Sequence, residues 1–161
     1  MLITPEQNRA LLSPITQAEV DLAVKEIPPG KAPGLDGFTI DFFHHCWDMI
    51  KEEVWPAVEE SRTSGQVLSA LNATFITLIP KEEQVAHPRQ FRLISLCNVI
   101  YKIITKVIAT WIKPLLPFII SKEQARYVEG RQIMDSVILA NEVIQSLKEN
   151  KTPVILIKLD L

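Results

Sequence analysis

The sequence predicts an α+β chain, rich in helix and carrying one small antiparallel hairpin. Three observations carry this. Apolar residues recur at helical spacing over residues 98–112 and 132–148. Residues 73–79, ATFITLI, are rich in β-branched side chains, and residues 91–96 follow across a polar loop as a second extended piece. The order is helices, strand pair, long helices, then a strand, without the regular βα alternation of a parallel sheet.

Each element has a local reason. Thr16 can cap a short helix over residues 17–25, with Val20 and Ala23 on one side, and Pro28-Pro29-Gly30 stops it. Residues 29–38, PGKAPGLDGF, read as a Gly/Pro-rich loop. Two helical segments are expected next, over 39–49 and 51–63, with Gly65 closing the second. The strand over 73–79 is expected to end at Pro80, with a polar loop over 81–90. In the helix over 98–112, Ile100, Ile103, Ile104, Val107, Ile108 and Trp111 form an apolar stripe. Lys102, Lys106 and Lys113 lie on another side of it. Pro114 and Pro117 end this helix, and Ser121 with Gln124 fits a capping box. The helix over 132–148 is expected to be buried through Ile133, Val137, Ala140, Ile144 and Leu147. Residues 152–161, TPVILIKLDL, read as a buried strand ending in an aspartate.

Composition excludes several classes. With 161 residues, 47% hydrophobic and 22% charged, the chain can bury a core. No apolar stretch approaches the ~20 residues needed to span a bilayer. Leu2, Ile3 and Thr4 are soon followed by Glu6 and Arg9, so no secretory signal is visible. The expected location is intracellular, nuclear or cytoplasmic, with no membrane partner. Cys46 and Cys97 lie far apart and read as free thiols, and His44, His45 and His87 form no zinc pattern. The net charge of −2 hides an uneven distribution. Residues 1–80 carry 5 Lys/Arg against 11 Asp/Glu, residues 81–131 carry 9 against 4, and residues 132–161 carry 3 against 4. The middle block is a candidate phosphate-contacting surface, because Lys and Arg that neutralise a nucleic-acid backbone release its counterions. A solvated basic face has the same composition.

Four groups of residues can carry chemistry. Asp160 stands at the end of an apolar strand, where a carboxylate is costly to bury without a cation or metal. Strand-end aspartates also serve as turn and capping residues, and two-metal phosphoryl transfer needs at least two carboxylates. In the loop over 29–38, Gly30, Gly34 and Gly37 allow main-chain N–H groups to approach a phosphate, and Lys31 adds a charge. The spacing is not that of a Walker loop. Lys81 and Arg92 sit at the mouth of the hairpin and could clamp a triphosphate, Arg by its planar fork and Lys as a point charge. Gly130-Arg131 places a cation at a helix start, against the helix dipole, which asks for an anionic partner.

The order of these features resembles one family. PGKAPGLDGF (29–38), FITLIPK (75–81), FRLISLCNVIYKIITKVIA (91–109), YVEGRQIMDSVILANEVI (127–144) and LIKLDL (156–161) are similar to the fingers and early palm of plant LINE-type (non-LTR) reverse transcriptases. The resemblance covers about residues 15–161. It implies a partial right-hand polymerase. Residues 1–72 would be an N-terminal extension and helical fingers segment. Residues 73–131 would be the fingers hairpin and basic helix, and 132–161 a fingers-to-palm helix with the first palm strand. It implies a triphosphate-binding role for Lys81, Arg92 and Arg131, and a template-binding role for Lys31, Gly34, Lys102, Lys106 and Gly130. Asp160 would be the first catalytic aspartate and a magnesium ligand, with the Leu161 carbonyl assisting at the second ion. RNA template, DNA primer and deoxynucleoside triphosphate are the implied partners, and Mg²⁺ the implied cofactor of the complete domain.

The sequence also departs from the pattern. The family commonly has Pro where Leu35 and Leu93 stand, a small residue and Phe where Arg126 and Tyr127 stand, and Asn-Arg where Thr110-Trp111 stand. The Tyr/Phe-Ala-Asp-Asp turn with the remaining catalytic aspartates does not occur in these 161 residues. The expectation is therefore a polymerase fragment, a truncated or decaying copy, that does not polymerise alone. A non-catalytic RNA-binding module and a degenerate, partly folded relic are the competing readings.

Overall fold

The computed structural model describes residues 3–121, 124, 128–151, 153 and 155. It divides into two compact units, Pro5–Ile112 in one and Met1–Thr4 with Lys113–Leu161 in the other. The first contains helices α1 (Pro5–Leu11), α2 (Gln17–Glu26), α3 (Ile40–Ser64) and α4 (Ser69–Asn72), strands β1 (Thr74–Pro80) and β2 (Phe91–Cys97), and helix α5 (Val99–Ile112). The second contains α6 (Leu116–Ile119) and α7 (Ile133–Glu149).

The core of the first unit is a three-helix junction. Val20, Ala23 and Val24 of α2 meet Ile40, Phe43, Val54 and Val58 of α3 and Val99, Ile103, Ile104 and Val107 of α5, all buried. Val20, Val58 and Ile103 lose all solvent exposure. Each such side chain contributes about 1.5–3 kcal/mol by leaving water. Of the expected stripe on α5, Ile108 alone turns outward, at 45% exposure.

Helix α2 is also held by polar contacts. Thr16 and Glu19 form a reciprocal cap, the Thr16 hydroxyl accepting from the Glu19 N–H and the Glu19 carboxylate accepting from the Thr16 N–H at 2.7 Å. All three tryptophans of the chain direct their indole N–H at this helix or its lead-in. Trp47 donates to Asp21 at 3.0 Å, Trp55 to the Ile15 carbonyl at 2.8 Å, and Trp111 to Glu19 at 2.6 Å. Glu59 accepts from the Ile15 N–H at 2.9 Å and pairs with Arg62. An indole is half apolar body and half donor, so each closes the core and satisfies an acceptor at its rim.

Residues 39–63, expected as two helices, form one helix from Ile40 onward, capped by Thr39. Phe43, Trp47, Ile50, Val54 and Val58 keep a single stripe through the expected break. Asp48, Glu52 and Glu53 lie on the solvent side, and Pro56 is exposed, so its missing N–H weakens only the outer face of α3. Gly65 closes the helix in the left-handed conformation, φ +66°.

The hairpin forms with Thr74 opposite Cys97, Thr77 opposite Ile94 and Ile79 opposite Arg92. Pro80 ends β1 as expected and is itself the last paired residue, opposite Phe91. Beyond it the Lys81 N–H donates to the Gln90 carbonyl at 2.8 Å. All of β1 and most of β2 are exposed.

In the second unit, α7 begins and ends one residue later than expected. Its expected burial fails in part: Val137 and Ala140 are exposed, and Ile144 and Leu147 are half-buried. Helical spacing defines an apolar face but does not supply a surface to cover it. Gln124 donates its N–H to the Ser121 carbonyl at 3.2 Å. Of the buried strand expected over 152–161, Pro153 and Ile155 are described, neither lies in a strand, and Ile155 is 86% exposed; Asp160 and Leu161 lie outside the described residues, as do Arg126 and Tyr127. Among the described residues no helix is long and apolar enough to cross a membrane.

Two outcomes follow from this packing. Ile103→Ala should destabilise the unit by about 3 kcal/mol in urea unfolding, since a buried isoleucine is truncated at the junction of three helices. Stability should also fall in acid. Burial pushes the Glu19 carboxyl up, but hydrogen bonds from the Thr16 N–H, the Trp111 indole and the Thr16 hydroxyl outweigh it and hold the group below its ordinary value near 4.5. The Arg62 hydrogen bond does the same for Glu59, against burial and with help from the Ile15 N–H. A lowered folded value means that the stabilisation is complete above about pH 4.5 and is lost as pH falls through the folded value. The double variant Glu19→Gln/Glu59→Gln should flatten that acid limb of the stability profile.

Candidate nucleic-acid interface

The hairpin presents two different faces. Ile79 and Arg92 are direct partners, and the alternation of side chains carries Thr77, Ile94 and, one step past the strand, Lys81 to the same side. Lys81 and Arg92 are therefore diagonal neighbours, about 7–8 Å apart at the backbone in such a register. The Lys81 ammonium donates to the Arg89 carbonyl at 2.9 Å, which folds the loop back toward the strand. The Arg92 side chain is exposed and makes no hydrogen bond or ion pair among the described residues. The opposite face carries Leu78, Phe91 and Leu93, which with Val85, Ala86 and Pro88 line an open apolar groove. The loop between the strands is organised by Gln90, whose side-chain oxygen accepts from the Ala86 and His87 N–H groups at 2.9 and 2.8 Å.

The glycine-rich loop differs from the expectation. Four of its main-chain N–H groups are used within the chain. Gly30 donates to the Asp41 carboxylate at 3.1 Å, Asp36 to the Asn98 side chain at 3.3 Å, Gly37 to the Gly34 carbonyl and Phe38 to the Asp36 carboxylate. Gly34 is buried against Asn98, and a Cβ there would come within 2.2 Å of the Asn98 side-chain oxygen and 2.4 Å of its backbone nitrogen. The absent side chain serves this internal approach, which no phosphate is needed to explain. Lys31 is exposed on the loop.

The cations of α5 are tied down as well. The Lys102 ammonium donates to the Ala32 carbonyl at 3.0 Å, and Lys106 pairs with Glu26 at 2.8 Å. Both are half-exposed and retain donors toward solvent. In the second unit, Lys113 pairs with Glu129 at 3.0 Å. Gly130 takes φ +78° just before Arg131. Arg131 meets its need for an acceptor internally, donating to the carbonyls of Ile120, Ser121 and Gln124. A planar fork with several donors suits convergent carbonyls as well as an anion. Arg131 thus fixes the turn that leads into α7, and three of its donors are occupied.

The cations that the structure brings together are Lys81 and Arg92. The expected metal ligands Asp160 and Leu161 lie outside the described residues, and among the described residues no three His, Cys, Asp or Glu side chains gather as a metal site.

Residues 79–161 match the reverse transcriptase (RNA-dependent DNA polymerase) family. The chain belongs to this family. The match starts inside β1 and takes in Arg92, all of α5 and Arg131, so it spans the hairpin cations and the turn before α7. The whole chain is also similar to the Transposon TX1 uncharacterized 149 kDa protein of Xenopus laevis, 28% identical over 159 residues. That alignment covers 99% of this chain and 12% of the relative, so the chain spans about an eighth of the relative's length.

Sequence reasoning misses the polar contacts of two residues of this region. It places Asn98 only at the start of a helix, although a lone amide between a strand and a strongly apolar helix is a signal for a buried junction. It places Trp111 on the apolar stripe and treats it as a departure from the family, but does not identify its indole donor. The indole–carboxylate bond gives Trp111 a structural use in this chain. Trp111→Phe, which keeps the ring body and loses the donor, should cost about 2 kcal/mol in chemical unfolding. Glu19→Gln in that background should add less than it does alone, as a double-mutant cycle reads.

Proposed function

We propose that the chain is the fingers and early palm of an RNA-directed DNA polymerase from a LINE-type retrotransposon of plant type. The observation that carries this reading is the reverse transcriptase match from residue 79 onward, in a chain whose ordered motif blocks resemble those elements along nearly all its length. The transposon name of the Xenopus relative agrees with it.

In this reading residues 1–72 form the N-terminal extension and helical fingers segment, 73–131 the fingers hairpin and basic helix, and 132–161 the passage into the first palm strand. The reaction is in-line transfer of a nucleotidyl group from a deoxynucleoside triphosphate to a primer 3′-hydroxyl, in which the protein positions the reactants and neutralises charge. Lys81 and Arg92, on one face of the hairpin, meet the triphosphate, and Arg92 has its fork open for bidentate contact. Arg131 acts by shaping the turn before α7. Lys31 on the glycine-rich loop, with the solvent-facing donors of Lys102 and Lys106, lies along the template RNA. Magnesium, the cofactor of the complete domain, would take Asp160 and the Leu161 carbonyl and supply charge neutralisation at the transferred phosphate.

The relic reading is disfavoured by the helical core and by the absence of any unpartnered buried side-chain polar atom among the described residues. The chain should bind single-stranded RNA, and the affinity should fall with salt. Replacing both Lys81 and Arg92 by Gln should reduce the steepness of the log K against log salt plot by about 1.4, because two phosphates are no longer neutralised by the protein. An unchanged slope would remove the hairpin from the interface. With Mg²⁺, a primer and an RNA template, the purified 161-residue chain should give no extension, because it offers one candidate carboxylate where two are needed. Clear extension would overturn that assignment of the metal site.

A further inference from the structure

Asn98 is the only buried polar side chain among the described residues, with 2% exposure. It holds three pieces of chain. Its Nδ2 donates to the Ala70 carbonyl of α4 at 3.0 Å. Its Oδ1 accepts from the Asp36 N–H of the glycine-rich loop at 3.3 Å. Its own backbone joins Cys97, the last residue of β2, to Val99, the first of α5. The carbonyl of Asn98 accepts from the Lys102 N–H at 3.1 Å, which starts the helix.

The position matters because of what lies above it. β1 leaves α4 through Ala73, and β2 ends at Cys97, which is paired with Thr74. Both stalks of the hairpin therefore rise from the same point, one held through Ala70 and the other through Asn98 itself. The third arm reaches the loop that displays Lys31. An isolated two-stranded hairpin is marginal in water, and this one is exposed along most of both strands. Its orientation must be set from the base. Gly34 allows the loop to close onto Asn98, and Lys102 adds a second tie to the loop at Ala32.

We propose that Asn98 is a positioning residue, a buried amide latch that fixes the hairpin and the glycine-rich loop as one scaffold. The cations of the two segments are thereby presented to a nucleic-acid strand without an ordering cost at binding. The latch stands on geometry alone; its consequence for RNA rests on the reading given under Proposed function.

The two arms are separable by amide hydrogen exchange in the whole chain. Asn98→Asp keeps an acceptor for Asp36 and loses the donor to Ala70. The Leu71 and Asn72 amides, which close α4 onto the Leu68 carbonyl, should then exchange at least tenfold faster, while Asp36 changes less than threefold. Asn98→Ala should release both segments. Uniform acceleration across the helical core, or none at either segment, would overturn the latch. Lys102→Met, a change at the surface, leaves the amide intact and guards against a core variant that does not fold. With it Asp36 should stay protected within about threefold, and loss of that protection would assign the loop to Lys102 instead. In the RNA titration, Asn98→Asp should weaken binding three- to tenfold with the salt slope unchanged, since every phosphate-neutralising cation is still present. A changed slope would make Asn98 part of the contact surface and count against a positioning role. If the unmodified chain bound no RNA, the proposed function would fail, while the exchange pattern would still decide the latch.

Discussion

A hairpin exposed on both faces cannot choose its own direction in water, and this constraint organises the first unit. Two strands alone bury too little to be held by their ladder. The cations that give the hairpin its chemical interest, Lys81 and Arg92, are useful only if the strands point somewhere fixed. The junction at Asn98 answers the constraint at the base of the strands, where a buried amide joins β2, α4 and the glycine-rich loop. A buried amide is costly unless each of its groups is paired. The geometry that satisfies it is therefore also the geometry that is most strongly preferred.

The junction in turn stands on the three-helix core. Helix α5 begins immediately after Asn98 and is fixed by Ile103, Ile104 and Val107 against α2 and α3. Three indole donors fasten the short α2 and its lead-in to the longer helices on either side. A ten-residue helix gains little from its own hydrogen bonds. Its place is set by burial and by these ties at the rim. Rigidity thus passes from apolar packing, through one polar junction, to an exposed element that carries charge.

Charge is divided between two uses. Taken as composition alone, the middle third of the chain is a basic block. In the fold much of that charge has internal work: Lys102 holds the loop, Lys106 meets Glu26, Lys113 meets Glu129, and Arg131 gathers three carbonyls. Arg92 of this block remains outward, as does Lys31 on the glycine-rich loop. Membership in the reverse transcriptase family gives this arrangement its context. Several of these cations keep donors toward solvent while they fasten the fold, as Lys102 and Lys106 do.

The α+β class, the capped α2, the hairpin and the long apolar helices were legible in the sequence because each depends on neighbours within a few positions. Spacing identifies a face, β-branched runs an extended piece, and Thr16 a helix start. The motif order that resembles LINE-type reverse transcriptases was legible for the same reason, being written along the chain. Tertiary structure decided the rest. It kept α3 continuous through the break expected near residue 50, because Trp47, Ile50 and Val54 share one buried stripe. It left Val137 and Ala140 of α7 exposed, since periodicity cannot say what will cover a face. It gave four amides of the glycine-rich loop internal partners, gave Gly34 to Asn98 and gave Arg131 to carbonyls. Asp36 and Asn98 lie 62 residues apart in sequence, and only the folded chain brings a donor and an acceptor that far apart within hydrogen-bonding distance.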